Sequence, residues 1–321
     1  MTHLDLDDLR SGMILGTVGT VASILLVIGG YWDGWWHFNI GRDTFWTRPH
    51  LLMYAEVITG LALGFIGYGD THLRPAAAVI GLGSLLSIAA APLDNIWHAI
   101  FGVDFTIWSL PHVAGIVDGG AVSLIGLLAW WMTLERLAPN GRVRTAAHLG
   151  LVAQVAALLP WLLFILMEYE HTLAVRISLL AYRWDLQAAY YPIFIAYLSF
   201  GLAIAVARAI GPAVLIAGTV TAYLLLLAFS QTLQGATPFA SPVPLLIPLA
   251  ALSAVAHRLH GVIGDVAACL AAVPFLYLSL ALAARPVPHD LAAVAGTAAA
   301  AIVAALAGRL LGRGLQVLSG S

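Results

Sequence analysis

Lysine is absent from this chain, cysteine occurs once, and only 9% of the residues are charged. A soluble domain carries about 25% charged residues, so this composition excludes an ordinary soluble protein. The single cysteine, Cys269, cannot form a disulfide within the chain, and a thiolate metal cluster is not expected. The positive charges are all arginine and form no basic tract, so nothing predicts binding to nucleic acid.

What the chain has instead is apolar sequence: 61% of its residues are hydrophobic, and the mean hydropathy is +0.93. Apolar runs of roughly 17–25 residues predict transmembrane helices. The sequence therefore predicts an all-α, polytopic transmembrane protein with about ten helices. The predicted helices lie near 12–36, 50–68, 75–92, 110–134, 145–167, 188–208, 211–230, 242–256, 262–283 and 290–309.

Arginine placement predicts the orientation of these helices. If the N-terminus lies inside, the inner segments hold nine arginines and the outer segments hold five. Because cytoplasmic loops are enriched in positive residues, both termini are predicted to be cytoplasmic. The acidic segment 1–12 lacks the basic region and cleavage site of a signal peptide, so the first run is expected to be a retained helix. The expected location is the inner (cytoplasmic) membrane of a bacterium or archaeon.

One pattern of polar residues occurs twice. The first copy contains Asp33, His37, Gly41, Asp43, Trp46, Pro49 and His50, and the second contains Asp94, His98, Gly102, Asp104, Trp108, Pro111 and His112. The offset is 61 residues at the first aspartate and 62 at the last histidine, so one residue has been added to the second loop. Chance would rarely keep seven such positions in register. We therefore predict two repeated helical hairpins, over residues 12–68 and 75–134, within a single transmembrane domain, 1–321.

The spacing within each copy suits metal binding. Asp33 and His37, like Asp94 and His98, are four residues apart, which places both side chains on one face of a helix. The second histidine, His50 or His112, follows a proline at the start of the returning helix, beside the end of the preceding one. Each hairpin can offer one carboxylate and two imidazoles to one ion near the outer face. This donor set suits Cu(II), Zn(II) or non-haem Fe(II).

Other interpretations of these residues stay open. The aspartates and histidines could be interfacial helix caps, since histidine and tryptophan are common at membrane boundaries. Asp43 and Asp104 could be plain loop residues, or they could orient the ligand histidines by hydrogen bonding. Glu56 and Asp118 each lie six residues after the second histidine of their copy. Ionisable groups at that depth favour a proton path or substrate channel, although Glu56 could equally be a buried, protonated glutamate.

The two motifs resemble copper sites in the C subunit of particulate methane and ammonia monooxygenases. Asp33-x3-His37-x12-His50, with Arg42-Asp43-Thr44 inside it, is similar to one intramembrane copper site of that family. The second motif has the spacing of the neighbouring site, but Asp94 stands where the family typically has asparagine. The resemblance covers about residues 15–130, whereas residues 145–309 have no recognised counterpart. It implies copper as cofactor, bound by Asp33, His37 and His50 and by Asp94, His98 and His112.

The resemblance also implies a function. That function would be oxidation of a small apolar substrate with O2 at the outer face. The resemblance further implies that the chain assembles with partner subunits or as a homo-oligomer. A non-catalytic protein for binding, storage or delivery of copper or zinc is the main alternative, and the lack of an electron-relay motif favours it. A haem protein and a metal transporter are two further alternatives. A haem protein usually places its histidines deep in facing helices, whereas these histidines are predicted at helix ends beside carboxylates. A metal transporter would show helices broken by glycine, and such breaks are not evident in the sequence.

Overall fold

The computed structural model describes residues 6–40, 44–101, 110–139, 141–164, 191–232, 243–282 and 290–320. Within those ranges the chain forms ten α-helices. They are α1 (Leu6–Asn39), α2 (Arg48–Gly67), α3 (Arg74–Phe101), α4 (Asp118–Leu137), α5 (Arg142–Leu163), α6 (Gly201–Ala209), α7 (Pro212–Thr232), α8 (Val243–Arg258), α9 (Gly261–Leu282) and α10 (Leu291–Ser319). Short π-helical segments, His112–Val117 and Ala196–Phe200, lead directly into α4 and α6. The prediction of an all-α chain with about ten helices is confirmed for the described residues.

Eight helices in the described ranges are long and apolar enough to cross a membrane. They are α1, α2, α3, α5, the helical run Tyr191–Ala209 that contains α6, α7, α9 and α10. By length and composition the chain is therefore a multi-pass membrane protein, as predicted. An α-helix rises about 1.5 Å per residue, so α1, with 34 residues, and α3, with 28, both exceed the roughly 30 Å of a hydrocarbon core.

α3 continues further than its sequence predicts. Its apolar run ends near residue 92, but the helix extends to Phe101 with Pro92 in its interior. A proline removes one backbone hydrogen bond without forbidding the residues on either side from being helical. As a result Asp94 and His98 lie on a helix, as Asp33 and His37 do.

The contacts group into two compact units, residues 1–161 with 315–321 and residues 162–314. We call them the N-terminal unit and the C-terminal unit. In the N-terminal unit α1 packs on α2, α2 on α3 and α3 on α4. In the C-terminal unit α8 packs on α9. The prediction of one transmembrane domain stays a prediction.

Small residues allow the helices of the N-terminal unit to approach closely. A Cβ added to Gly64 would lie 2.7 Å from the Cα of Gly81, where α2 crosses α3. A Cβ added to Gly126 would lie 2.7 Å from the backbone nitrogen of Ile80, where α3 meets α4. Membrane helices have little hydrophobic force between them and rely on such close packing. These crossings fix α2, α3 and α4 beside one another.

Candidate metal centre

The first helix pair brings Asp33 and His50 together. Pro49 stands in the first turn of α2, where the missing N–H of proline is harmless, and the preceding Thr47 has an extended backbone. His50 is therefore the third residue of α2, and its Nε2 is 3.2 Å from Asp33 Oδ1 on α1. Both side chains are largely shielded, with 18% of His50 and 13% of Asp33 exposed. This is the interhelical approach that the sequence predicts.

The loop before α2 fixes which nitrogen of His50 carries a hydrogen. His50 Nδ1 is 3.0 Å from the carbonyl oxygen of Thr44. A carbonyl oxygen only accepts, so Nδ1 must be the donor, and Nε2 faces the carboxylate. A bare Nε2 lone pair cannot face a carboxylate oxygen at 3.2 Å without a positive charge between them. That charge is either a shared proton or a metal ion.

Aromatic residues hold the loop against α2. The Tyr54 hydroxyl donates to the carbonyl of Phe45 over 3.0 Å, and the Tyr54 ring centroid lies 6.0 Å from that of His50. Trp46 packs edge-on against Phe45 and is 71% exposed. An exposed tryptophan beside a helix end is typical of the membrane–water interface. The His50 side of the pair is thus supported by the loop that precedes it.

The second helix pair repeats the approach with different support. His112 Nε2 lies 3.4 Å from Asp94 Oδ1, and each side chain is 17% exposed. His112 is the first residue of the π-helical segment that leads into α4. In that segment the carbonyl of Gly115 accepts a hydrogen bond from Ser87 on α3 over 3.2 Å. π-Helical turns are rare and often lie at functional sites.

The remaining predicted ligands are less fully described. His37 and His98 lie on α1 and α3, on the same helices as their aspartates, as predicted. The structure describes only the backbone of these two histidines. Asp43 and Asp104 lie outside the described residues altogether, and Asp118 is described only as helical backbone. Among the side chains that are described, no three of the histidine, cysteine, aspartate and glutamate type converge on one point. What the structure brings together is one carboxylate and one imidazole in each helix pair.

The geometry of each pair fits a shared metal ion. Two ligands bonded to one ion at about 2.0–2.1 Å lie about 2.8–3.4 Å apart, depending on whether the coordination is square or tetrahedral. The separations of 3.2 and 3.4 Å fall within that range. A carboxylate oxygen and an imidazole Nε2 are ordinary ligands of copper, zinc and iron. The hydrogen bond from His50 Nδ1 to a carbonyl is the partner that metal-bound histidines usually have.

Glu56 takes a separate position, deeper in the N-terminal unit. It lies on α2 with 4% of its surface exposed, and the hydroxyl of Ser123 on α4 donates to its Oε1 over 2.7 Å. Sequence reasoning singled out Glu56 but missed its partner, because a serine in an apolar run carries no signal of its own. The pairing appears only when α2 and α4 are placed side by side.

A second buried carboxylate, Asp265, escaped sequence analysis. It lies on α9 with 1% exposed, and both its oxygens are engaged by arginines. Arg208 donates to Oδ1 through Nε at 2.7 Å, and Arg309 donates to Oδ2 through Nη1 at 2.8 Å. An aspartate within an apolar span was the available signal. Because its oxygens already meet two cations, Asp265 is a structural anchor of the C-terminal unit and not a metal ligand.

Comparison of the chain with protein-family models, with curated proteins and with solved structures found no match. The resemblance to the monooxygenase subunit therefore depends on the residues of the two motifs alone.

Proposed function

We propose that this chain is an integral membrane protein that binds two transition-metal ions, copper first among them, one in each of two related helical hairpins. The observation that carries the proposal is the same approach made twice: a carboxylate oxygen meets an imidazole Nε2 at 3.2 Å in one hairpin and at 3.4 Å in the other. The pattern is duplicated in the sequence at an offset of 61–62 residues. Two independent helix caps would have no reason to share this geometry.

The residues of each hairpin have distinct tasks in this proposal. Asp33 and Asp94 supply negative charge, which lowers the cost of bringing a cation to the membrane boundary. His50 and His112 supply nitrogen ligands from the facing helix, and His37 and His98 complete each set from the same helix as the aspartate. Zinc and iron suit the same donors and are the weaker alternatives. In the predicted orientation, with both termini in the cytoplasm, both sites face the outer side of the inner membrane.

A bound copper ion would supply the chemistry for activating O2, and the function we propose is oxidation of a small apolar substrate that enters from the bilayer. The chain's own part is to hold the ion at the apolar boundary, where such substrates partition. Storage or delivery of copper is the second candidate, because the sequence contains no electron-relay motif. Storage and delivery need the ligands but no substrate cavity or reductant.

Metal analysis of the purified protein tests the binding proposal. We expect two copper ions per chain in the wild type, and one in each of His37→Ala and His98→Ala. The matched control is His148→Ala, because His148 pairs with Glu135 at 2.9 Å away from both sites and should leave both ions in place. If the number of copper ions per chain is unchanged in both ligand variants, the assignment of the ligands is refuted. A haem absorption spectrum would identify the cofactor as haem instead of copper.

Oxygen consumption separates the two candidate functions. With a quinol and a short hydrocarbon or ammonia present, a monooxygenase-like protein should consume O2, and His50→Ala should abolish the consumption. A copper-loaded protein that consumes no O2 under these conditions favours storage or delivery.

A further inference from the structure

The N-terminal unit contains buried polar groups besides the Asp33–His50 pair. Glu56 is six residues along α2 from His50, or about 9 Å along the helix axis at 1.5 Å per residue. Ser123 binds Glu56 from α4, and the backbone carbonyl of the next residue, Leu124, accepts a hydrogen bond from Gln154 on α5 over 3.1 Å. Gln154 also donates to Ser23 on α1 over 3.4 Å. These buried polar side chains lie on four helices of the unit, α1, α2, α4 and α5.

The helices around Glu56 leave room for two serine hydroxyl groups. Gly60, one turn further along α2, leaves room for Ser84 of α3: a Cβ at position 60 would overlap the Ser84 hydroxyl and lie 3.2 Å from that of Ser123. Two serine hydroxyls from two different helices therefore meet α2 just below the carboxyl group. Any residue other than glycine at position 60 would displace them.

The carboxyl group has no compensating cation in the described structure. Its Oε1 accepts from Ser123, and its Oε2 is buried without a hydrogen-bond partner among the described residues. The charged side chains described on α1, α3 and α4 are Asp8, Arg10, Asp33, Arg74, Asp94, Glu135 and Arg136, and none of them pairs with Glu56. An isolated carboxylate in an apolar interior is far too costly to persist as an anion. A carboxyl group in this position must take up a cation.

We infer that Glu56, with Ser84 and Ser123, forms an intramembrane site that binds an exchangeable proton. The ligand is a proton because one carboxyl and two neutral hydroxyls provide too few charged oxygens for a divalent ion. Exchange would run through the hydroxyl groups of Ser123 and Ser84, because a serine hydroxyl both donates and accepts a hydrogen bond and these two meet α2 beside the carboxyl group.

Infrared spectroscopy of the full-length protein in lipid vesicles tests this site, with the spectrum of each variant subtracted from that of the wild type. The wild type should show the C=O stretching band of a protonated carboxylic acid, which should be lost in Glu56→Gln and retained in Glu135→Gln. The band should shift to lower frequency when the vesicles are transferred to D2O, because the acid proton is replaced by deuterium. In Ser123→Ala the band should move to higher frequency, because the carbonyl oxygen loses its hydrogen bond.

Three results would overturn the inference. A spectrum without a band that responds to Glu56→Gln or Ser123→Ala means that the group is not protonated. A band present but unmoved after prolonged exposure to D2O means an inert buried acid and no exchanging site. A band that disappears when sodium is added at constant pH identifies a monovalent cation site instead.

Discussion

The two helix pairs of the N-terminal unit reach the same carboxylate–imidazole separation by opposite packing. In the first pair the small residue lies on the leading helix: Gly29 of α1 faces Met53 of α2, and a Cβ on Gly29 would lie 2.9 Å from Met53 Cγ. In the second pair the glycine is on the returning helix, where a Cβ on Gly115 would overlap that of Ala90 on α3. Positions 29 and 90 correspond at the offset of 61, and positions 53 and 115 at the offset of 62.

The entry to the returning helix differs as well. α2 is an ordinary α-helix with Pro49 in its first turn, whereas the second returning helix has a π-helical segment, His112–Val117, directly after Pro111. What the two copies share is the distance between carboxylate and imidazole, while the contacts that hold it have diverged. A similar separation, kept through two different packing arrangements, supports the proposal of a metal site in each pair.

The largest effect is expected from Gly115→Ala, which is aimed at the second pair only. The new methyl group would overlap Ala90 Cβ, so α3 and the π-helical segment must separate, at a cost of about 1–3 kcal/mol of stability. The second metal site should be lost while the first remains. Thermal unfolding in detergent and metal analysis measure the two effects.

Ala90→Gly provides the matched control, because it moves the small residue to the position that Gly29 occupies in the first pair. The double variant Ala90→Gly with Gly115→Ala should regain most of the stability and metal lost in Gly115→Ala. If the double variant is no better than Gly115→Ala, the two positions do not form the contact described.

Gly29→Ala should have a smaller effect, limited to the first pair. Its methyl group meets the flexible Met53 side chain, which can move aside, but also the backbone oxygen of Pro49 at 2.9 Å, which cannot move so easily. We expect a loss of about 1 kcal/mol and weaker metal binding at Asp33 and His50 with the second site intact. A loss of the second ion would contradict the independence of the two pairs.

The all-helical, multi-pass character of this structure could be predicted from the sequence, because a long apolar run that crosses a membrane can satisfy its backbone hydrogen bonds as an α-helix. The hairpin geometry expected within each motif likewise predicted the approach of Asp33 to His50 and of Asp94 to His112. The exchange of glycine between helices could not be predicted, since a glycine does not show which neighbour needs the room. The hydrogen bonds from Ser123 to Glu56 and from two arginines to Asp265 were equally hidden, because each partner comes from a distant helix.

Ser87→Ala distinguishes the pairs through the π-helical segment. The Ser87 hydroxyl donates to the Gly115 carbonyl, and position 26, which corresponds to 87 in the first pair, is a leucine that cannot do so. Loss of the bond should cost about 1 kcal/mol and weaken metal binding at the second site alone. The control, Thr59→Ala on α2, removes a hydroxyl that bonds only within its own helix and should leave both sites unchanged.

Tyr54→Phe should have the smallest effect. It removes the hydrogen bond to the Phe45 carbonyl at the membrane boundary, where water can partly replace it, so we expect less than about 1 kcal/mol. Copper affinity at the first site should fall slightly, as measured by competition with a chelator, and Tyr68→Phe should serve as a neutral control. An equal change at both sites would show that the loop does not act on His50 specifically.

Metal-edge anomalous diffraction from crystals of the copper-loaded protein tests the central claim most directly. Each hairpin should show one anomalous peak within bonding distance of its carboxylate Oδ1 and imidazole Nε2, with the first histidine of the motif as a further ligand. Copper-soaked crystals that show no peak at either pair, or side chains turned away from each other toward solvent or lipid, would contradict it.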